Sequence, residues 1–155
     1  MPLCNPSDLK LSLGKGLRIL GLDVGTKTIG MALSDTSLMI ATPLDTVRRT
    51  RFRDDLARIK AEIQRHGIGA IGIGLPLALA GGETRRSQGV RQFAKNLAAA
   101  IELPIVFWDE RLSTSAVERG MIEGDLSRAR RAELIDKAAA AYILQGLLDW
   151  LRNRI

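Results

Sequence analysis

The chain has 155 residues, of which 46% are hydrophobic and 26% charged, an ordinary composition for one globular domain with its own core. Its single cysteine, Cys4, excludes a disulfide framework or a cysteine-based metal site within one chain, and no apolar run reaches the roughly 18 residues of a membrane span. The net charge of +6 favours a polyanionic partner such as nucleic acid.

The first half of the chain predicts an antiparallel meander of three strands. Residues 1–16 lack the apolar stretch of a secretory signal, and we expect them to form a flexible arm. Two apolar runs, residues 17–24 and 28–34, flank a glycine-containing turn and predict a β-hairpin. A third strand over residues 38–47 contains Pro43, which removes a hydrogen-bond donor and favours a position at the edge of a sheet.

The second half of the chain alternates helices with buried strands. The predicted elements are, in order, a helix over 51–66, a strand over 70–75, a helix over 84–101, a strand over 103–108, a short helix over 114–119, a loop over 120–127 and a helix over 128–152. Such alternation implies right-handed parallel crossovers. The predicted fold class is therefore α/β, with a mixed five-stranded sheet and helices on both faces, forming one domain over residues 17–155.

Three carboxylates stand out as candidate catalytic residues and metal ligands. Asp23 ends the first strand and Glu110, next to Asp109, ends the last, so parallel strands would bring both acids to the same edge of the sheet. Asp136 lies on an otherwise apolar, alanine-rich stripe of the last helix, where an acid is costly to bury unless it is paired or bound to a metal. A simple ion pair with Lys or Arg at the rim of the core remains the alternative for Asp136.

Oxygen ligands of this kind suit Mg²⁺ or Mn²⁺. Two such ions about 3.5–4 Å apart can stabilise the attacking and leaving oxygens of a phosphodiester. Basic residues fit the same chemistry, because they would contact the phosphates of a nucleic-acid substrate. The predicted substrate-binding residues are Lys27, Arg85, Arg86, Arg111, Arg130 and Arg131. For any one of these basic clusters, an exposed charged surface without a partner is an equally good interpretation.

Four segments resemble one known family. They are residues 21–30 (Gly-Leu-Asp-Val-Gly-Thr-Lys-Thr-Ile-Gly), 74–77 (Gly-Leu-Pro-Leu), 108–114 (Trp-Asp-Glu-Arg-Leu-Ser-Thr) and 136–140 (Asp-Lys-Ala-Ala-Ala). In this order and spacing they resemble the YqgF, or RuvX-type, proteins, nucleases of ribosomal RNA precursors related to Holliday-junction resolvases. One departure is that Ala78 and Ala80 stand where members of that family often carry Asn and Asp, which questions any substrate contact by this loop.

The resemblance implies a ribonuclease H-like fold and a bacterial cytoplasmic enzyme that matures the end of small-subunit ribosomal RNA with a divalent metal, in association with the ribosome. Carried over residue by residue, the acidic site falls on Asp23, Glu110 and Asp136.

Other functions remain open. A resolvase acting on branched DNA would work as a homodimer, although the sequence identifies no dimer surface. The Asp-x-Gly-Thr segment also resembles the phosphate loop of actin-like ATPases, but those proteins close a nucleotide between two domains of this kind. A non-catalytic RNA-binding assembly factor would suit the charge, yet acids repel phosphate unless a metal intervenes.

Overall fold

The computed structural model describes residues 5–12, 16–112 and 128–153, without the side chains of residues 10–12, 112 and 128–134. Its elements are α1 (Pro6–Ser12), β1 (Arg18–Val24), β2 (Thr28–Ser34), β3 (Ala41–Arg48), α2 (Phe52–His66), β4 (Ile68–Leu75), α3 (Arg85–Ala100), β5 (Ile105–Asp109), a 3-10 turn (Glu110–Leu112) and α4 (Arg128–Arg152). The short helix and the loop predicted over residues 114–127 lie outside the described residues.

The five strands form one mixed sheet in the order β3-β2-β1-β4-β5. β1 pairs antiparallel with β2, and β2 with β3, whereas β4 runs parallel to both β1 and β5. The predicted fold class is confirmed, including the edge position of the strand that contains Pro43. There the register shifts between Met31 and Ala32, next to the proline.

Helices cover both faces of this sheet because its central strands are apolar on both sides. Every residue of β4 is buried, as expected for a strand with neighbours on both edges and layers on both faces. Side chains of α2 and α3, such as Ile59 and Phe93, belong to the core on one face. On the other face, α4 contributes Leu144 and Leu147 to a second core.

Small residues let α4 lie unusually close to the sheet. A Cβ atom added at Gly30 would lie 2.1 Å from the carbonyl oxygen of Asp136, and one at Gly21 would lie 2.8 Å from Cβ of Leu144. Such distances are far below van der Waals contact, so glycine is required at both positions unless the helix moves. The alanine-rich stripe of α4 thus has its counterpart in the glycines of β1 and β2.

Local signals fix the ends of the two helices on the opposite face. Gly67 ends α2 in the left-handed conformation, with φ of 63°, which glycine adopts without a Cβ penalty. Thr84 begins α3 through a reciprocal capping box with Ser87, which satisfies two otherwise free donors. This cap sets where α3 starts, and so where Arg85 and Arg86 lie.

The N-terminal segment differs from the loose arm expected from its polar sequence. Over residues 6–12 it forms α1, and Leu9 is fully buried in the core beneath α4. The physical reason is that one apolar side chain finds an apolar groove beside Ile19 and Val106, which the local composition does not reveal. No helix of the described residues is long and apolar enough to cross a membrane.

Candidate active site

Asp23 and Glu110 meet at the edge where the parallel strands end. Asp23 is the penultimate residue of β1, and Glu110 directly follows β5, with β4 lying between these two strands. Gly74 of β4 leaves room for the Glu110 side chain to cross this intervening strand, because a Cβ atom there would lie 2.7 Å from Oε1 of Glu110. The two carboxyl groups are consequently hydrogen-bonded to each other.

Asp136 approaches the same edge from α4. Its carbonyl oxygen packs over Gly30, which is the residue paired with Asp23 across the β1–β2 hairpin. The Asp136 carboxylate is close enough that its negative charge raises the pKa of Asp23. The structure therefore brings the three acids predicted from the sequence to one side of the sheet.

Asp23 is the most strongly perturbed of these acids. Its side chain is only 12% exposed. Burial first, and then the negative charge of Glu110, raise the pKa of Asp23 from its ordinary value of 3.8 to about 7, although Arg86 opposes the shift. Burial also raises the pKa of Glu110. When Asp23 is protonated, it donates a hydrogen bond to Glu110.

Asp136 accepts a hydrogen bond from Oγ1 of Thr28. In this side-chain arrangement no group of three or more His, Cys, Asp or Glu side chains within the described residues is positioned to hold one metal ion. The donor set nevertheless fits a divalent cation. Neighbouring, partly buried carboxyl groups with raised pKa values favour a bound proton, and a cation can take the place of that proton. Asp23, Glu110 and Asp136 would be its ligands, after the Asp136 side chain turns from Thr28 towards the other two.

The predicted basic residues divide into those beside the acids and those elsewhere. The Arg86 guanidinium lies 3.6 Å from Oδ1 of Asp23, and Lys27 is exposed on the turn that follows β1. Arg85 is exposed at the start of α3, next to Arg86. These three residues are placed where a strand of nucleic acid could contact them as it reaches the acids.

The Arg111 side chain is instead engaged by hydrogen bonds to Asp109 and Leu79. Its Nε donates to Oδ2 of Asp109 at 2.8 Å, and its Nη1 donates to the carbonyl of Leu79 at 3.2 Å. Asp109 is thus engaged with Arg111, whose guanidinium holds the pKa of Asp109 below its usual range. The hydrogen bond to Leu79 links Arg111 to the loop that contains Ala78 and Ala80. The side chains of Arg130 and Arg131 lie outside the described residues.

Two residues of the site region are not among the predicted site residues. Thr28 could have been found, because it lies two residues from Gly30 in β2 and so faces α4 and Asp136. Arg49 belongs to a basic cluster of four arginines in residues 48–53, and nothing in the sequence distinguishes it from the other three. Its Nη1 donates to the carbonyl of Gly25 at 2.6 Å, and its guanidinium lies 5.3 Å from the ring centre of Phe93. Arg49 therefore supports the turn that follows Asp23.

Comparison with solved structures defines the class of fold. The chain is similar to RuvC of T. thermophilus in complex with a Holliday junction substrate, with a TM-score of 0.56 and 12% identity over 88% of this chain and 96% of that one. It is also similar to the fowlpox virus resolvase in complex with Holliday junction DNA, with a TM-score of 0.52 and 10% identity over 87% of this chain and 99% of that one. The fold is that of the ribonuclease H-like resolvases.

Sequence comparison identifies the family within that class. Residues 17–150 match the family model described as "RuvX: Holliday junction resolvase". A protein of Paramagnetospirillum magneticum is 56% identical over 149 residues, 96% of each chain, and one of Methylocella silvestris is 50% identical over 147 residues, 95% of this chain and 91% of the relative. Both are named "Putative pre-16S rRNA nuclease". The chain belongs to the RuvX family of nucleases, and the predicted resemblance is confirmed.

Proposed function

We propose that this chain is a divalent-metal-dependent endonuclease that cleaves structured RNA at the 5′ end of the small-subunit ribosomal RNA precursor. The names of the relatives support this substrate. Work on such a precursor would place the protein in the cytoplasm, in transient association with the ribosome. The observation that carries the chemistry is the meeting of Asp23, Glu110 and Asp136 beside Arg86.

The three acids account for the metal requirement of the proposal. Asp23 and Glu110 are partly buried and of like charge, so a further cation beside them would stabilise their fully ionised form. Divalent cations at this site, Mg²⁺ or Mn²⁺, would supply charge neutralisation at the scissile phosphate and activation of a water nucleophile. Thr28 would hold Asp136 until the ligands assemble, since its hydroxyl occupies one carboxylate oxygen.

The basic residues would orient the substrate. Arg86 already forms an ion pair with Asp23, and its guanidinium can turn from that carboxylate to a phosphate oxygen when the substrate arrives. Lys27 on the adjacent turn provides a mobile point charge for the same strand. The His66 side chain lies 3.0 Å from Glu62 at the end of α2, so it takes no part in this chemistry.

Cleavage of an RNA that contains the precursor 5′ end tests the proposal directly. Wild-type protein should cut in Mg²⁺ or Mn²⁺ and not in EDTA. Asp23→Asn, which keeps the shape and removes the ionised carboxylate, should reduce the cleavage rate by about 10³-fold. Matched melting curves would show that the variant is folded. Undiminished, metal-dependent cutting by folded Asp23→Asn would contradict the assignment, and specific binding without any cutting would favour an assembly factor.

A second candidate is resolution of branched DNA. It is favoured by the description of the matching family model and by the fold shared with RuvC bound to a Holliday junction. Such an enzyme must cut two strands symmetrically and would therefore act as a homodimer. Parallel assays on a four-way DNA junction and on the RNA precursor, with the molar mass measured by light scattering, separate the two substrates.

A further inference from the structure

A pocket of about 380 Å³ lies immediately beside the acidic site. Val24, Gly25 and Thr26 form one wall, where the chain leaves β1, and the first two turns of α3 form the other through Gly89 and Val90. Three arginines, Arg49, Arg85 and Arg86, complete its lining. We call this the arginine pocket. Its volume is within the range of small-ligand sites in proteins.

The lining of the arginine pocket carries an excess of positive charge. None of the residues that line it is acidic, and the carboxylates that lie near two of its three guanidinium groups, Asp23 beside Arg86 and Asp55 beside Arg49, are outside the lining. Asp55 lies behind Arg49, with 4.0 Å between Oδ2 and Nε, and is itself almost fully buried. Within the described part of the chain, the Arg85 side chain has neither a hydrogen bond nor an ion pair. The pocket therefore presents unsatisfied donors to an anion.

The two halves of the pocket are held in different ways. Arg49 is fixed by the Gly25 carbonyl and by the face of Phe93, so its position is set before any ligand arrives. Arg85 is exposed at the start of α3 and can turn towards a ligand. Planar guanidinium groups with several donors match the oxygens of a phosphate better than those of a neutral ligand.

Arg86 connects the arginine pocket to the acids. The same guanidinium that lines the pocket lies 3.6 Å from Oδ1 of Asp23. An anion in the pocket and a reacting group at Asp23 would thus be separated by a single arginine side chain. Consecutive phosphates of one nucleic-acid strand meet this requirement, because they repeat at short and regular intervals along the backbone.

We propose that the arginine pocket binds a backbone phosphate of the substrate strand next to the phosphate that is cleaved. Arg49 and Arg85 hold this neighbouring phosphate, and Arg86 bridges it to the acidic site. The inference rests on the proposed nuclease function for the identity of the strand. The pocket fixes the register of that strand, so that only one phosphodiester reaches Asp23, Glu110 and Asp136.

Binding without cleavage provides the test. A short fluorescein-labelled RNA would be titrated with protein in EDTA, and fluorescence anisotropy would be followed across a series of salt concentrations. Arg85→Gln should weaken binding by about tenfold at low salt and lower the slope of log K against log salt by about one, as for loss of one phosphate contact. Arg53→Gln, which removes an exposed arginine outside the pocket, should show the smaller loss expected of a distant charge.

A second variant blocks the pocket without removing a charge. A Cβ atom at Gly89 would meet no atom within 4 Å, so Gly89→Met should fold and fill the open space. It should weaken RNA binding to a similar degree as Arg85→Gln, whereas Gly89→Ala, with a side chain too small to fill the space, should bind as wild type does. Equal binding by wild type and Gly89→Met, or equal losses for Arg85→Gln and Arg53→Gln, would overturn the proposal.

The same preparations separate this inference from the nuclease assignment. Cleavage by Asp23→Asn bears on the acids alone, and binding in EDTA bears on the pocket alone. Undiminished cleavage by folded Asp23→Asn, together with weaker RNA binding by Arg85→Gln and Gly89→Met, would contradict the nuclease assignment of the acids and keep the phosphate subsite. The reverse result would keep the nuclease and remove the subsite.

Discussion

The acidic site and the arginine pocket lie side by side but are constructed differently. The acids are placed by the backbone: Asp23 and Glu110 by the ends of parallel strands, and Asp136 by a helix packed directly on Gly30. The arginines reach their pocket from the turn after β3 and from the start of α3 through long, partly exposed side chains. The acids thus depend on backbone positions set by the fold, whereas the arginines depend on the conformations of long side chains.

The first prediction tests whether close backbone packing holds the acidic site together. In Gly30→Ala the new Cβ atom would fall 2.1 Å from the carbonyl oxygen of Asp136, so α4 must move away from the sheet. We expect a loss of about 3 kcal/mol or more in the free energy of unfolding, measured by urea denaturation. Gly82→Ala, at a position with open space, is the matched control and should unfold as wild type does.

The second prediction concerns the charge of the acidic site. Because the pKa of Asp23 is raised to about 7 in the folded protein from 3.8 when unfolded, the folded state holds its proton more tightly. In metal-free protein this tighter proton binding should therefore stabilise the folded state in full below pH 3.8. The stabilisation should be lost as the pH rises to about 7. The loss should be about 2 kcal/mol, since Glu110 shares the same proton.

Thermal unfolding in EDTA across this pH range measures the effect. Asp23→Asn should lack this part of the pH dependence, and excess Mg²⁺ should stabilise wild type more at pH 8 than at pH 5. Parallel pH profiles for wild type and Asp23→Asn would show that Asp23 titrates normally and would remove the electrostatic basis of the site.

The third prediction separates the positioning of Asp136 from its charge. Thr28→Val keeps the branched shape and removes the hydroxyl that donates to Asp136. We expect a loss of about 1.5 kcal/mol in metal-free protein, as for a hydrogen bond to a charged group. Thr28→Ser retains the donor and should recover most of this free energy. Equal stability of the Val and Ser variants would mean that the hydrogen bond from Thr28 to Asp136 does not contribute to the free energy of unfolding.

The smallest effect is expected at the arginine pocket, which the fold itself does not need. Gly89→Ala should raise the free energy of unfolding by about 0.5–1 kcal/mol, because alanine favours the helix and its methyl group meets open space. By contrast, Gly67→Ala should destabilise the protein, since the helix cap there has φ of 63°. Destabilisation by Gly89→Ala would mean that the pocket wall is packed rather than open.

The same division explains what the sequence could predict. Periodicity and strand ends are local signals, so the five strands, the three long helices and the edge where Asp23 and Glu110 lie were predictable. The small residues of α4 and the odd acid among them pointed to Asp136. The burial of Leu9 depends on a groove formed by distant segments, and no local pattern of residues 6–12 reveals it.

The arginine pocket lay beyond prediction for a related reason. Arg49 was one of four arginines in residues 48–53, and only the tertiary structure selects the one that donates to Gly25. Arg111 was predicted to bind substrate, but the structure shows its guanidinium engaged by Asp109. Composition alone cannot decide between these two partners. Long flexible side chains choose among partners only after the backbone has folded.

Binding of Mn²⁺, followed by electron paramagnetic resonance of the free ion, tests most directly whether these acids form a metal site. Asp23→Asn and Asp136→Asn should each weaken binding by at least about tenfold. Arg85→Gln, in the neighbouring pocket, should leave binding unchanged. If folded Asp136→Asn binds Mn²⁺ as tightly as wild type, the three acids do not form one metal site and the proposed mechanism is wrong.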